Sequence, residues 1–206
     1  MLKVHHLNNS RSQRILWLLE ELKLPYEIVY YQRDSKTMLA PLALKQVHPL
    51  GKSPMISDGD RVVAETAVIV EYLVELANGE LGPVGESEKQ RYRYFLHYAE
   101  GSLMPPLLLL LVLARIPLFG KRAMARVQPM LDVHLDWLET ELASRDWFAG
   151  DRFTAADVMM SFPIEAAKVR GGLNASRPRL MAWLDRIHSR PAYKQALAKG
   201  GQYDFV

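Results

Sequence analysis

The chain contains no cysteine. That excludes disulfides, thiolate metal sites and a protein-borne thiol nucleophile, so any sulfur chemistry has to use a thiol brought by a ligand. An excess of one charge is also nearly missing: 26 Lys and Arg stand against 23 Asp and Glu, a formal net charge of +3 with a pI near 9.1. The small surplus is spread along the chain without a basic block or aromatic-basic interleaving, so no nucleic acid is expected as a partner. Long hydrophobic runs are lacking as well. The most apolar stretch, Leu103 to Ala114, holds two prolines and stops at Arg115. It is too short for a bilayer span and reads as a Pro-kinked core helix, so no membrane partner is expected. The first residues, MLKVHHLNN, have no apolar core of a signal peptide, which makes a cytoplasmic location the expectation.

What is present suits a packed globular protein: 206 residues, 49% of them hydrophobic, are enough for one large domain or two small ones. Leu2 to Leu7 reads as a strand, and Ile15, Leu16, Leu18, Leu19 and Leu22 recur at helical spacing before Pro25. Tyr26 to Tyr31 is β-rich, and Thr37 to Gln46 reads as a short, weakly determined helix. Pro54-Met55-Ile56 and Arg61 to Ala64 flank Asp58-Gly59, a hairpin signal. Glu65-Thr66 then opens a helix with Val68, Ile69, Tyr72, Leu73 and Leu76 on one face. The order β-α-β-α-β-β-α occupies residues 1–78. A Gly/Pro-rich connector, NGELGPVGE, follows, and from 87 to 206 every periodic segment is helical: 87–114, 120–144, 154–169, 178–189 and 192–199. The composition therefore predicts an α/β domain followed by an all-α domain.

Three stretches of the first domain are candidates for chemistry. In HPLGKSPMI, the Ser53-Pro54 pair stands at a strand entry, where proline is tolerated on an edge or as a cis bond that turns the chain; the segment alone favours an ordinary edge proline, since most X-Pro bonds are trans. In AETAVIVEYL, Glu65 and Thr66 stand at a helix start, whose free N–H groups and dipole suit a carboxylate, while Glu65 suits an ammonium; a plain Thr66 N-cap is the alternative. In LNNSRSQRIL, Ser10 and Ser12 are both able to cap the helix. They would also suit a ligand thiol. Lowering a thiol pKa from ~8.5 by two units takes about 2.7 kcal/mol. A hydrogen bond to a charged group supplies roughly 1.5–3 kcal/mol and a helix N-terminus about 0.3–1. One hydroxyl and one helix end therefore suffice, whereas a serine nucleophile would need a base and an orienting acid beside it. The six histidines show no metal-binding spacing, so no metal site is expected and they read as structural or surface residues. Finally, Thr154 with Asp157, Phe153 and Val158 forms a capping box with a hydrophobic staple, a folding signal.

In order and spacing, "SRSQRILWLLEELKLPYEIV", "HPLGKSPMI", "AETAVIVEYL" and "GDRFTAADV" resemble the cytosolic serine-type glutathione S-transferases, and the resemblance covers essentially the whole chain. It implies a thioredoxin-like glutathione-binding domain over 1–78 and an all-helical domain over 87–206. It further implies that Ser10 donates to the glutathione thiolate, that Lys52 contacts a glutathione carboxylate, that Ser53 and a cis Pro54 pair with the cysteinyl part, and that Glu65 and Thr66 hold the γ-glutamyl head. Asn9 joins this set, and the thiolate donor is left open among Asn9, Ser10 and Ser12. Residue 53 departs from the pattern, being Ser where an aliphatic residue is commoner. No tyrosine occurs in residues 1–25, against tyrosine-type catalysis. The expected function is conjugation of glutathione, a co-substrate, to small apolar electrophiles in detoxification, by a cytoplasmic homodimer. Met104, Leu107 and Leu108 are the candidate electrophile pocket, with a core role as the alternative. A glutathione-dependent peroxidase or dehalogenase and a non-catalytic binding module are the other readings.

Overall fold

The structure is a computed structural model that describes residues 1–206. It divides into two compact units: Met1–Gly82 with His188–Asp204, and Pro83–Ile187 with Phe205. The first unit holds β1 (Leu2–Leu7), α1 (Ser12–Glu21), β2 (Tyr26–Tyr31), α2 (Leu44–Val47), β3 (Met55–Asp58), β4 (Arg61–Ala64) and α3 (Thr66–Leu76). The sheet order is β2-β1-β3-β4, with β1 and β2 parallel and the other neighbours antiparallel. This is the expected thioredoxin-like arrangement. Alternating residues of β1 serve two layers: Leu7 joins Leu44 and Met55 on one face, while His6 faces α1.

Local details depart from the sequence reading for identifiable reasons. The helix expected over Thr37–Gln46 shrinks to Leu44–Val47, because Asp34 accepts the backbone N–H groups of Lys36 and Thr37 and holds that stretch as a turn. The hairpin loop is Gly59-Asp60, with Asp58 paired to Arg61. On α3 the buried face is Thr66, Ile69, Val70, Leu73 and Val74; Val68 and Leu76 are exposed. Pro54 precedes an inner strand, not an edge, and costs no ladder bond because pairing begins at Met55.

The end of the chain also departs from the expected division. In α9 (Pro191–Gly200), Tyr193 packs edge-on against Trp17 of α1, and Arg190 and Lys199 pair with Glu21 and Glu20. Residues 188–204 thus belong with the α/β unit, because α1 buries every residue from Ser12 to Leu19 and needs cover on the side away from the sheet.

The second unit is helical. It contains α4 (Gly85–Tyr98), α5 (Met104–Leu113), α6 (Gly120–Glu141), α7 (Ala155–Arg170) and most of α8 (Pro178–Ser189). A π-helical turn, Ala99–Leu103, joins α4 to α5. Pro105 and Pro106 have no N–H to return to the preceding turn, and the wider turn accommodates that loss. By length and composition this Gly85–Leu113 helix could cross a membrane, but it packs on α6 and α7 as a core helix. The capping box of Thr154 and Asp157 starts α7, whose first 13 residues are all buried. Phe95, Phe148 and Trp183 form a row of rings about them, with centroids 5.0 Å apart at each step.

Candidate functional site

Sheet topology brings three of the candidate stretches to one end of the α/β unit. The chain leaves β1 at Leu7 and enters the Asn8–Arg11 loop there. Because β3 runs antiparallel to β1, Pro54 at its start lies at that same end, and because β4 runs antiparallel to β3, so does Glu65 at its close. The ligand-facing parts are therefore a loop, a prolyl turn and a helix start, each held by an adjacent strand.

The Ser53-Pro54 bond is cis, where the segment alone favoured trans. Ser53 Oγ donates to the His5 carbonyl at 3.0 Å, which ties this turn to β1. Pro54 is buried, Ser53 is half-buried and Lys52 is exposed. At α3, the N-cap is Glu65 and Thr66 is the first helical residue, so the plain Thr66 cap is not what forms. The first helical bond runs from Ile69 N–H to the Glu65 carbonyl, leaving the N–H groups of Thr66, Ala67 and Val68 directed past the helix end. Glu65 itself sits at φ 70°, ψ 123° with an exposed side chain. A side chain held in this sparsely populated region costs about 1–3 kcal/mol, a cost typical of ligand clamps.

The three polar candidates of the first loop separate clearly. Asn9 points to the chain's tail: its Nδ2 donates to Asp204 Oδ2 at 2.7 Å, and its Oδ1 accepts the Asp204 N–H at 2.8 Å. Ser12 is fully buried, and its hydroxyl turns back to β1 instead of capping α1. Ser12 Oγ accepts the Leu7 N–H at 3.2 Å and lies 2.9 Å from His6 Nδ1. Ser10 stands just before the α1 N-cap, Arg11; its Oγ accepts the Ser12 N–H at 3.2 Å and lies 2.8 Å from Ser12 Oγ.

Several supporting residues were not singled out in the sequence. Arg33 donates to the carbonyls of Asn8 and Asn9 and fixes the loop from β2's end. His6, read as structural, is 2% exposed and bridges Ser12 to the Gly200 carbonyl, 2.9 Å from its Nε2. Burial lowers its pKa below the ordinary imidazole value, against a smaller rise from the Gly200 bond. No local signal could have found these partners, since Asp204 and Gly200 lie nearly 200 residues away. In the helical unit, Met104 and Leu107 are core side chains at 3% and 0% exposure, whereas Leu108 is 51% exposed.

Comparison with known proteins agrees with this geometry. Residues 10–76 match the glutathione S-transferase N-terminal domain and residues 122–186 the C-terminal domain of that family. Glutathione S-transferase 3 of Schizosaccharomyces pombe is 36% identical across 97% of this chain and 88% of its own length. Glutathione S-transferase 1 of Saccharomyces cerevisiae is 31% identical across 97% of this chain and 95% of its own. The crystal structure of a glutathione S-transferase from Actinobacillus pleuropneumoniae superposes with a TM-score of 0.87 at 32% identity, covering 100% of this chain and 95% of that one. Matched through both domains in sequence and along its full length in fold, the chain belongs to the glutathione S-transferases, a family of enzymes.

Proposed function

We propose that the α/β unit binds glutathione, that Ser10 holds its thiolate, and that the enzyme conjugates it to small apolar electrophiles. The observation that carries this reading is the separation of the three polar loop residues: Asn9 is spent on Asp204 and Ser12 on β1 and His6, which leaves Ser10 as the hydroxyl at the helix start. The open N–H groups of α3 suit the α-carboxylate of the γ-glutamyl head and Glu65 its ammonium. Lys52, exposed beside the prolyl turn, suits the other carboxylate, while the backbone at Ser53 and Pro54 pairs with the cysteinyl part.

Ser10 then acts as a hydrogen-bond donor to sulfur and not as a nucleophile. A charge-assisted bond and the α1 N-terminus together contribute about 2–4 kcal/mol, enough to ionise a thiol at neutral pH. The thiolate attacks the electrophilic carbon. Of the three expected pocket residues only Leu108, 51% exposed, is open to an electrophile, while Met104 and Leu107 are core side chains beneath it. A homodimer in the cytoplasm is the working form, supported by apolar side chains at the surface of the helical unit: Tyr94, Met130 and Val133 are 49%, 56% and 68% exposed.

The test is the titration of bound glutathione by thiolate absorbance. Ser10→Ala should raise the thiol pKa by about one to two units, the loss of a charge-assisted hydrogen bond. Glu65→Gln should weaken glutathione binding roughly tenfold without moving that pKa. An unchanged thiol pKa with full activity in Ser10→Ala would remove Ser10 from the role.

A further inference from the structure

Behind Ser10 runs a chain of hydrogen bonds whose direction is fixed at its far end. His6 Nε2 lies 2.9 Å from the Gly200 carbonyl, which only accepts, so Nε2 carries the proton. In the neutral ring Nδ1 is then an acceptor, and Ser12 Oγ, 2.9 Å from it against 3.2 Å from the Leu7 carbonyl, gives its proton along the shorter contact to Nδ1. Having given its one proton to His6, Ser12 Oγ accepts from the Leu7 N–H and from Ser10, 2.8 Å away. Ser10 in turn accepts the Ser12 N–H. The hydroxyl of Ser10 therefore points inward at rest, and what it offers an incoming ligand is a lone pair. A donor to a thiolate must point the other way. The simple picture of a serine holding a thiolate thus requires this chain to reverse.

From this geometry we infer that Ser10, Ser12 and His6 form a proton relay, in which His6 receives through the two hydroxyls the proton that the bound thiol gives up. The inference rests on the proposed role of Ser10. In the step, the S–H bond breaks and its proton passes to Ser10 Oγ; Ser10 passes its own proton to Ser12 Oγ, and Ser12 passes its own to His6 Nδ1. One S–H bond is lost and one N–H bond gained, both serines end as hydroxyls, and a neutral pair becomes thiolate and imidazolium. The Ser10–Ser12 and Ser12–His6 hydrogen bonds survive with their direction reversed, and Ser10 now donates to sulfur. His6 and Ser12 touch no substrate in this scheme and are positioning residues that act through Ser10.

In the free protein His6 rests neutral and burial opposes its protonation, so the imidazolium of the step depends on the thiolate formed at the other end of the chain and on the Gly200 carbonyl. Ser12 faces it from α1, the Tyr30 ring stands edge-on from β2 with centroids 6.2 Å apart, and α9 contributes the Gly200 carbonyl. Lys199 of α9 is paired with Glu20 of α1, and Tyr30 Oη donates to the Lys199 carbonyl, so neither presents an uncompensated charge to the ring. Burial keeps the imidazole neutral below its usual titration range. Its Nε2–H already has an acceptor in place for the imidazolium form.

The test uses the full chain labelled with 15N at histidine. In the free protein His6 Nδ1 should resonate as an unprotonated nitrogen and Nε2 as a protonated one. Adding glutathione at neutral pH should move Nδ1 into the protonated range, and S-methylglutathione, which has no thiol proton, should not. Ser12→Ala and His6→Asn should each lower the thiolate fraction of bound glutathione at pH 7 about tenfold. Because Ser12 also holds the Leu7 N–H and so serves the fold, the unsubstituted protein's nitrogen shifts decide. If Nδ1 stays unprotonated while bound glutathione is thiolate, the relay is wrong. If Ser10→Ala leaves the thiolate fraction untouched, the fault lies with the Ser10 assignment itself.

Discussion

His5, His6 and His134 are all held below the ordinary imidazole range, in each case chiefly by burial, with the Lys3 charge adding to the effect on His5. Their folded forms refuse protons that the unfolded chain accepts, so their contribution to stability is lost as pH falls through about 6.5. Asp157 works in the opposite sense. Burial pushes its carboxyl up to about 6 from 3.8, despite hydrogen bonds from the Phe148 and Thr154 N–H groups that lower it. Between those two values the folded state binds the proton first, so stability rises as pH falls through that window. Asp157→Asn removes this opposition. Between pH 7 and 5 the variant should lose about 1 kcal/mol more stability than the parent. Urea unfolding at three pH values checks this, and equal losses would contradict it. The place of Ser10 and Glu65 at helix starts was readable from sequence, because the polar residue and the apolar period after it are adjacent in the chain. His6 was not, because its role depends on a carbonyl 194 residues on.

Among the elements, α9 was legible as an amphipathic helix but not as a partner of α1, since no spacing rule links Trp17 to Tyr193 or Glu21 to Arg190. Gly200 stands tight against α1. A Cβ there would stand 2.3 Å from Gln13 Oε1 and 3.1 Å from Leu16 Cδ1, both on buried α1 side chains. Gly200→Ala should therefore destabilise the protein by about 1–3 kcal/mol through overpacking. A Tm lower by roughly 2–10 °C is the expected reading, with Trp17 fluorescence changing as α9 shifts. The capping box of α7 was legible because Thr154 and Asp157 are three residues apart and need no distant partner. The π-helical turn before Pro105 was not, because a missing N–H can be met by a kink or by a wider turn, and tertiary packing decides between them.

For the whole molecule, the strand and helix order up to residue 76 gave the fold class correctly, and the switch to helices gave the second unit. The tail was misplaced because periodicity records which face is buried and not against what. Oligomeric state is tested at this scale. Sedimentation at micromolar concentration should show a species of twice 23.5 kDa, and Val133→Asp, which puts a charge on an exposed apolar site of α6, should shift it toward the single-chain mass. A parent protein that sediments as a single chain would count against the dimer. The return of α9 to α1 also bears on how the protein is made. The ribosome completes Pro83–Ile187 before it supplies the helix that covers α1, so the stretch later in sequence is the first able to fold, and the α/β unit waits for α9.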